Sequence, residues 1–175
     1  MKIVILTGSP RKKGNSNYLA QQFAKGAEEA GHEVFTFHCA DYGIHPCIGC
    51  NKCGMNGDCV FHDDFYIVRP KLVGADMVVF ATPVYYFAPT AQLKTVIDRF
   101  QSIYGVIEHK KTALITTQAN PDSVVAEPTI ATYKACSDFL KWEDKGIVTA
   151  TGLWAAHEVE TTDFPRQAYE LGKSL

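Results

Sequence analysis

The chain has no long uninterrupted hydrophobic run. Its longest, Met77 to Ala88, is broken by Thr82-Pro83 and falls short of the roughly 20 apolar residues that a bilayer-spanning helix needs. No charge of one sign dominates either: 17 Lys and Arg stand against 19 Asp and Glu, a net −2. That excludes a broad basic face for nucleic acid or an anionic membrane, and leaves only the local triplet Arg11-Lys12-Lys13. A secretory leader is not expected, because Gly-Ser-Pro-Arg-Lys-Lys follows the short apolar run Ile3-Val4-Ile5-Leu6 directly. There is no internal repeat and no low-complexity linker. These absences predict a cytoplasmic protein of one domain, residues 1–175, with a sizeable core.

Two common phosphate motifs are also missing. A P-loop needs four residues between its glycines and then Lys; here five separate Gly8 from Gly14, and Asn15 stands where that Lys would be. The dinucleotide fingerprint needs a second glycine two positions after the first, and Pro10 is there instead. What is present is Gly8 to Asn17, a polar turn between a short buried strand and a helix start at Ser16. Free N–H groups at such a helix start bind anions, and adjacent cations raise the local potential. Ser9, Arg11, Asn15, Ser16 and Asn17 suit one terminal phosphomonoester; the alternative is a basic surface turn with a good helix cap.

The rest of the chain alternates strand and helix patterns. Helices are predicted over 16–29, closed by Gly31, over 63–73 with Asp63 and Asp64 as cap and first-turn acid, over 91–100, across 124–142 and over 164–175. Strands are predicted at 3–6, 33–38, 76–81, 111–117 and 146–153, with Pro83 ending the third. This pattern implies an α/β three-layer sandwich on a five-stranded parallel sheet of order 2-1-3-4-5. In that order a ligand crevice opens between strands one and three, where Gly8–Asn17 meets Thr82–Phe87. One loop offers a phosphate site and the other aromatic faces: Tyr85, Tyr86 or Phe87 can stack on a flat ring or fill the sheet end.

Gly-Ser-Pro-Arg-Lys-Lys-Gly-Asn-Ser at 8–16, Thr-Pro-Val-Tyr-Tyr at 82–86, Gln-Leu-Lys-Thr-Val-Ile-Asp-Arg at 92–99 and a cysteine-rich loop together resemble the NADPH-dependent FMN reductase-like family of flavodoxin-fold proteins. Within it, the resemblance is to the iron-sulfur flavoprotein branch. It implies that Ser9, Arg11, Asn15, Ser16 and Asn17 hold the FMN phosphate and that Pro83, Val84, Tyr85 and Tyr86 line the ribityl chain and ring. The third flavin loop, Thr116–Asn120, departs from relatives in lacking glycine. A homodimer is implied as well.

Four of the six cysteines, Cys47, Cys50, Cys53 and Cys59, are spaced by two, two and five residues. Three thiolates in such a run reach three corners of a 4Fe-4S cubane, and a fourth can close it. Reduced structural cysteines, a redox dithiol and zinc stay open as alternatives, zinc being the less natural because Cys₄ sites pair two separated knuckles. Cys39 and Cys136 read as small core residues, and the six histidines show no ligand spacing.

The function expected is an FMN-dependent oxidoreductase that takes electrons from NAD(P)H and passes them to a quinone, flavin, nitro compound or protein acceptor. The alternative is a carrier moving electrons between a 4Fe-4S cluster and FMN. No motif distinguishes NADH from NADPH, and no side chain is required as nucleophile or general base.

Overall fold

The computed structural model describes residues 1–175. Alternate residues of β1 (Lys2–Thr7) face opposite sides of the sheet, and both sides are buried from Ile3 onward. α1 (Asn15–Glu29) follows, with Leu19, Ala20, Phe23 and Ala27 on its buried face and Gly31 at φ +87 just beyond its end. Then come β2 (Glu33–His38), α2 (Phe65–Gly74), β3 (Met77–Tyr85), β4 (Ala88–Pro89) and α3 (Ala91–Asp98). β5 (Lys111–Thr117), α4 (Glu127–Phe139), β6 (Glu143–Ala150) and α5 (Phe164–Lys173) complete the chain.

The five long strands run parallel in the order β2-β1-β3-β5-β6, the order expected of a flavodoxin-like sheet. Val4, Leu6, Val78, Phe80 and Leu114 face one core with Phe65, Leu72, Leu93, Val96 and Tyr133 from α2, α3 and α4. Ile3, Ile5, Met77, Val79 and Ile115 face the other, with Leu19, Phe23 and Ala168 from α1 and α5. Helices α1 and α5 approach so closely that a Cβ on Gly26 or Gly172 would run into the other helix's backbone.

Three boundaries differ from the sequence reading. Pro83 does not end the third strand: β3 continues to Tyr85 and turns back as the antiparallel β4, adding a sixth, two-residue strand. The ladder tolerates Pro83 because β1 stops at Thr7, opposite Ala81, so no neighbour on that side needs its N–H. The last strand runs Glu143–Ala150, three residues earlier at each end than expected: Gly146, at φ +142, is a bulge inside it that shifts the register against β5, and Leu153 lies in the loop beyond. Of the stretch expected to be helical at 124–142, a 3₁₀ turn and α4 reach only to Phe139, and Trp142 lies beyond the helix, in the core.

Candidate functional site

The carboxyl ends of β1, β3, β5 and β6 open onto one cleft of about 610 Å³, within the usual size of a small-molecule site. The β1 loop is anchored first. Gly8 donates its N–H to the Ala81 carbonyl at 2.8 Å, and Thr90 Oγ1 donates to the Gly8 carbonyl at 2.8 Å. A Cβ on Gly8 would strike Thr90 and Leu93, so the chain leaves β1 in a slot that only glycine fits.

The Arg11 carbonyl then gathers the loop, accepting from Gly14 N at 2.8 Å and Asn17 Nδ2 at 3.0 Å. Gly14 precedes α1 and has no side chain to cap it, so the amides of Asn15, Ser16 and Asn17 donate to no protein acceptor. Unpaired N–H groups at a helix start form an anion site. A Cβ on Gly14 would crowd the Arg11 carbonyl and Ser9 Oγ, each at 2.9 Å, which leaves the hollow beside them open.

Ser9, Arg11, Asn15 and Ser16 line the cleft. Asn17 does not; it is 2 % exposed and braces the loop from within, with its Oδ1 unpartnered. The Asn15 side chain is committed elsewhere: Nδ2 donates to the Ala155 carbonyl at 2.8 Å and Oδ1 accepts from Val159 N at 3.4 Å. Only its backbone N–H is free for an anion.

Across the cleft, Pro83, Val84, Tyr85 and Tyr86 line the opposite wall. The β3–β4 turn places Tyr86 and Phe87 at φ 48 and 65, the geometry of a tight hairpin but unfavourable for bulky residues. Thr129 Oγ1, from α4, donates to the Phe87 carbonyl at 3.2 Å and holds the turn. Tyr86 is consequently 99 % exposed over the cleft.

Of the other two walls, the sequence pointed to Thr116–Asn120 as a third flavin loop only through the family resemblance, and the β6 loop not at all. Thr117, the last residue of β5, forms one wall with Gln118 and Ala119; Leu153, Trp154 and Ala156, after β6, form the other. The available signal was topological, since loops after successive parallel strands emerge at the same sheet edge. Gln118 Nε2 donates to the carbonyls of Asn120 and Asp122, while its Oε1 is buried without a partner. A flavin fits this donor and acceptor set: unpaired amides suit its phosphate, aromatic faces suit its ring, and an orphaned acceptor suits a ring N–H.

The cysteine loop forms a second feature. Cys47, Cys50, Cys53 and Cys59 line one small hollow with Phe61 and Arg99. No three of its side chains converge to hold a metal ion, so the thiols as they stand are not a formed metal centre. The loop's two ends are tied by Arg99, 1 % exposed, whose Nη1 donates to the His45 carbonyl at 2.9 Å and to Asp63 Oδ2 at 2.7 Å. Its guanidinium also lies 4.9 Å from the Phe65 ring centre.

Asp63 stands one residue before the N-cap of α2, which is Asp64 and not a first-turn acid as expected, and Asp63 does more than serve the helix start. It accepts the Phe65 amide at 3.1 Å, but also pairs with Arg99 and accepts the His45 amide at 2.9 Å. Burial pushes its carboxyl upward; the hydrogen bonds from Arg99, His45 and Phe65 outweigh this and hold it below the usual carboxylate range. Cys39 is a core residue whose thiol burial pushes up to about 12, whereas Cys136 is only half-buried and its thiol is raised by burial.

The model of the family described as NADPH-dependent FMN reductase matches residues 1–127. An iron-sulfur flavoprotein of Archaeoglobus fulgidus is 41% identical over 99 residues, 57% of this chain and 45% of that protein. A Bacillus subtilis protein, named as an NAD(P)H-dependent FMN-containing oxidoreductase, is 25% identical over 161 residues, 87% of this chain and 86% of its own. The chain thus spans about half the length of the curated iron-sulfur flavoproteins it matches. Among solved structures, an NAD(P)H:quinone oxidoreductase from Methanothermobacter marburgensis superposes with a TM-score of 0.78 at 16% identity, covering 98% of this chain and 94% of that one. At that identity the likeness shows the flavodoxin-like fold alone.

Proposed function

The chain belongs to the NADPH-dependent FMN reductase family, and from that premise we propose that it is an FMN-dependent oxidoreductase, taking electrons from NAD(P)H and passing them to a quinone, flavin, nitro compound or protein acceptor. The observation that carries this reading is the cleft itself, with unpaired α1 amides at one side and the Pro83–Tyr86 wall at the other. Ser9, Arg11, Ser16 and the amides of Asn15 to Asn17 would hold the phosphate; Asn15 and Asn17 would act through their backbones while their side chains fix the loop. Pro83, Val84, Tyr85 and Tyr86 would line the ribityl chain and ring. When bound, FMN supplies the hydride-accepting and electron-passing chemistry. Residues 1–175 would act as one cytoplasmic domain in a homodimer, a setting that keeps the six cysteines reduced.

The test is reconstitution. Purified protein incubated with FMN and desalted is expected to keep stoichiometric flavin and to bleach on anaerobic addition of NADH or NADPH, with the faster one naming the donor. Failure to retain FMN refutes the reading.

The four cysteines that line one hollow favour a second reading, an electron carrier between a 4Fe-4S cluster and FMN, with Cys47, Cys50, Cys53 and Cys59 as the ligands. Anaerobic purification with iron and sulfide analysis separates the two. Four irons per chain with negligible NAD(P)H oxidation supports the carrier; iron below one per chain after reconstitution rejects it.

A further inference from the structure

The β6 loop is built unlike the other three walls of the cleft. It presents no polar side chain, only Leu153, Trp154 and Ala156. Leu153 is 7 % exposed and closes the inner wall, while Trp154, the next residue, is 82 % exposed. A single exposed aromatic is ordinary on a protein surface, so exposure alone carries nothing.

The backbone on both sides of Trp154 is fixed to other parts of the cleft. Leu153 donates its N–H to the Gln118 carbonyl of the β5 loop at 2.9 Å. Ala155 accepts from Asn15 of the β1 loop at 2.8 Å and donates its own N–H to Glu158 Oε2 at 2.8 Å. The indole is thus carried on a braced segment, yet it touches little of the protein. It shares the cleft with Tyr86, held bare on the opposite loop by a hairpin with two bulky residues at positive φ.

Resting on the flavin reading above, we propose that Trp154 is a specificity-determining wall for a flat aromatic electron acceptor, received at the cleft mouth between its indole and Tyr86. Leu153, 7 % exposed, and Tyr85, 43 % exposed, are the more covered side chains, while Tyr86 and Trp154, the two most exposed aromatics of the cleft, stand free at its mouth, where Tyr86 can border both rings. An acceptor that must lie against a bound ring gains from a face on which to stack, whereas a small ionic oxidant has no use for it. A quinone of this class takes up two electrons and two protons and leaves as the hydroquinone; NAD(P)H supplies the hydride and solvent the second proton.

The experiment isolates the acceptor. FMN-loaded protein is reduced anaerobically with dithionite and mixed in a stopped-flow with menadione, a flat naphthoquinone, or with ferricyanide, which has no ring. Trp154→Ala is expected to lower the menadione rate constant relative to that for ferricyanide by about two- to twelvefold, the span of one aromatic stacking contact. Trp154→Phe should restore most of the ratio, and FMN should dissociate from both variants as it does from the wild type. An unchanged ratio in Trp154→Ala overturns the proposal. So does loss of FMN from that variant, which would make the indole part of the cofactor wall. If the wild-type protein takes up no FMN, the flavin reading itself fails, and this is seen before any variant is mixed.

Discussion

Asn15 and Ala155, 140 positions apart, are joined across the mouth of the cleft by a 2.8 Å hydrogen bond from Asn15 Nδ2 to the Ala155 carbonyl. The second amide atom, Oδ1, receives Val159 N, so one side chain ties the start of α1 to the β6 loop. Asn15→Asp keeps the acceptor for Val159 but sets a carboxylate against the Ala155 carbonyl and beside the anion site. FMN affinity is expected to drop by at least about tenfold, against a few-fold for Asn15→Ala. Titration of FMN fluorescence checks it; an Asp variant that binds like the wild type would remove the anion-site assignment.

Gly14 is the most direct test of the phosphate hollow. Its φ of −78 suits any residue, so Gly14→Ala strains no backbone angle of its own and displaces only the Ser9–Arg11 loop. Its new Cβ meets Ser9 Oγ and the Arg11 carbonyl at 2.9 Å. We expect FMN binding to weaken about tenfold while riboflavin, which has no phosphate, binds as before. Equal losses for both ligands would mean that the hollow does not read the phosphate.

The Asp63–Arg99 pair makes a stability prediction independent of any cofactor. Both side chains are buried, and removing one leaves the other charge uncompensated. Asp63→Ala is expected to cost about 3–5 kcal/mol in urea unfolding. The folded Asp63 carboxyl lies below its unfolded value of about 3.9, so its stabilisation is fully present above that pH and fades as the pH falls through the folded value. The wild-type stability curve should therefore fall on its acid side more steeply than that of Asp63→Asn. Parallel acid limbs for the two proteins would show that Asp63 is not linked to folding in this way.

Thiol chemistry distinguishes the cysteines. Cys47 and Cys50 are exposed, whereas Cys39 is buried with its thiol pushed up to about 12. Brief alkylation of the reduced, metal-free protein at pH 8 should label the first two and spare Cys39 until denaturant is added. Peptide mass spectrometry reads the order. Early labelling of Cys39 would contradict its place in the core.

Apolar runs and their periods were sufficient for the parallel sheet. Ile3–Leu6, Met77–Ala81 and Thr112–Thr117 each bury consecutive residues, and runs this short fit strands covered on both faces. The loop at Gly8–Asn17 was legible because its polar and basic residue types suit an anion, and the aromatics at 85–87 because they follow a strand end where the sheet order opens a crevice. What residue 15 bonds to was not legible, nor was the ion pair that closes the cysteine loop. Those depend on which segments the sheet order brings together, and a period along the chain records how buried a residue is but not against what. The same holds for Trp154, an isolated aromatic in sequence that becomes a cleft wall only because β6 ends beside β5 and its loop is bonded back to Asn15. Composition and spacing thus determined the fold and which loops face one another at the candidate cleft; how those loops are bonded together was decided by contacts between residues far apart in the chain.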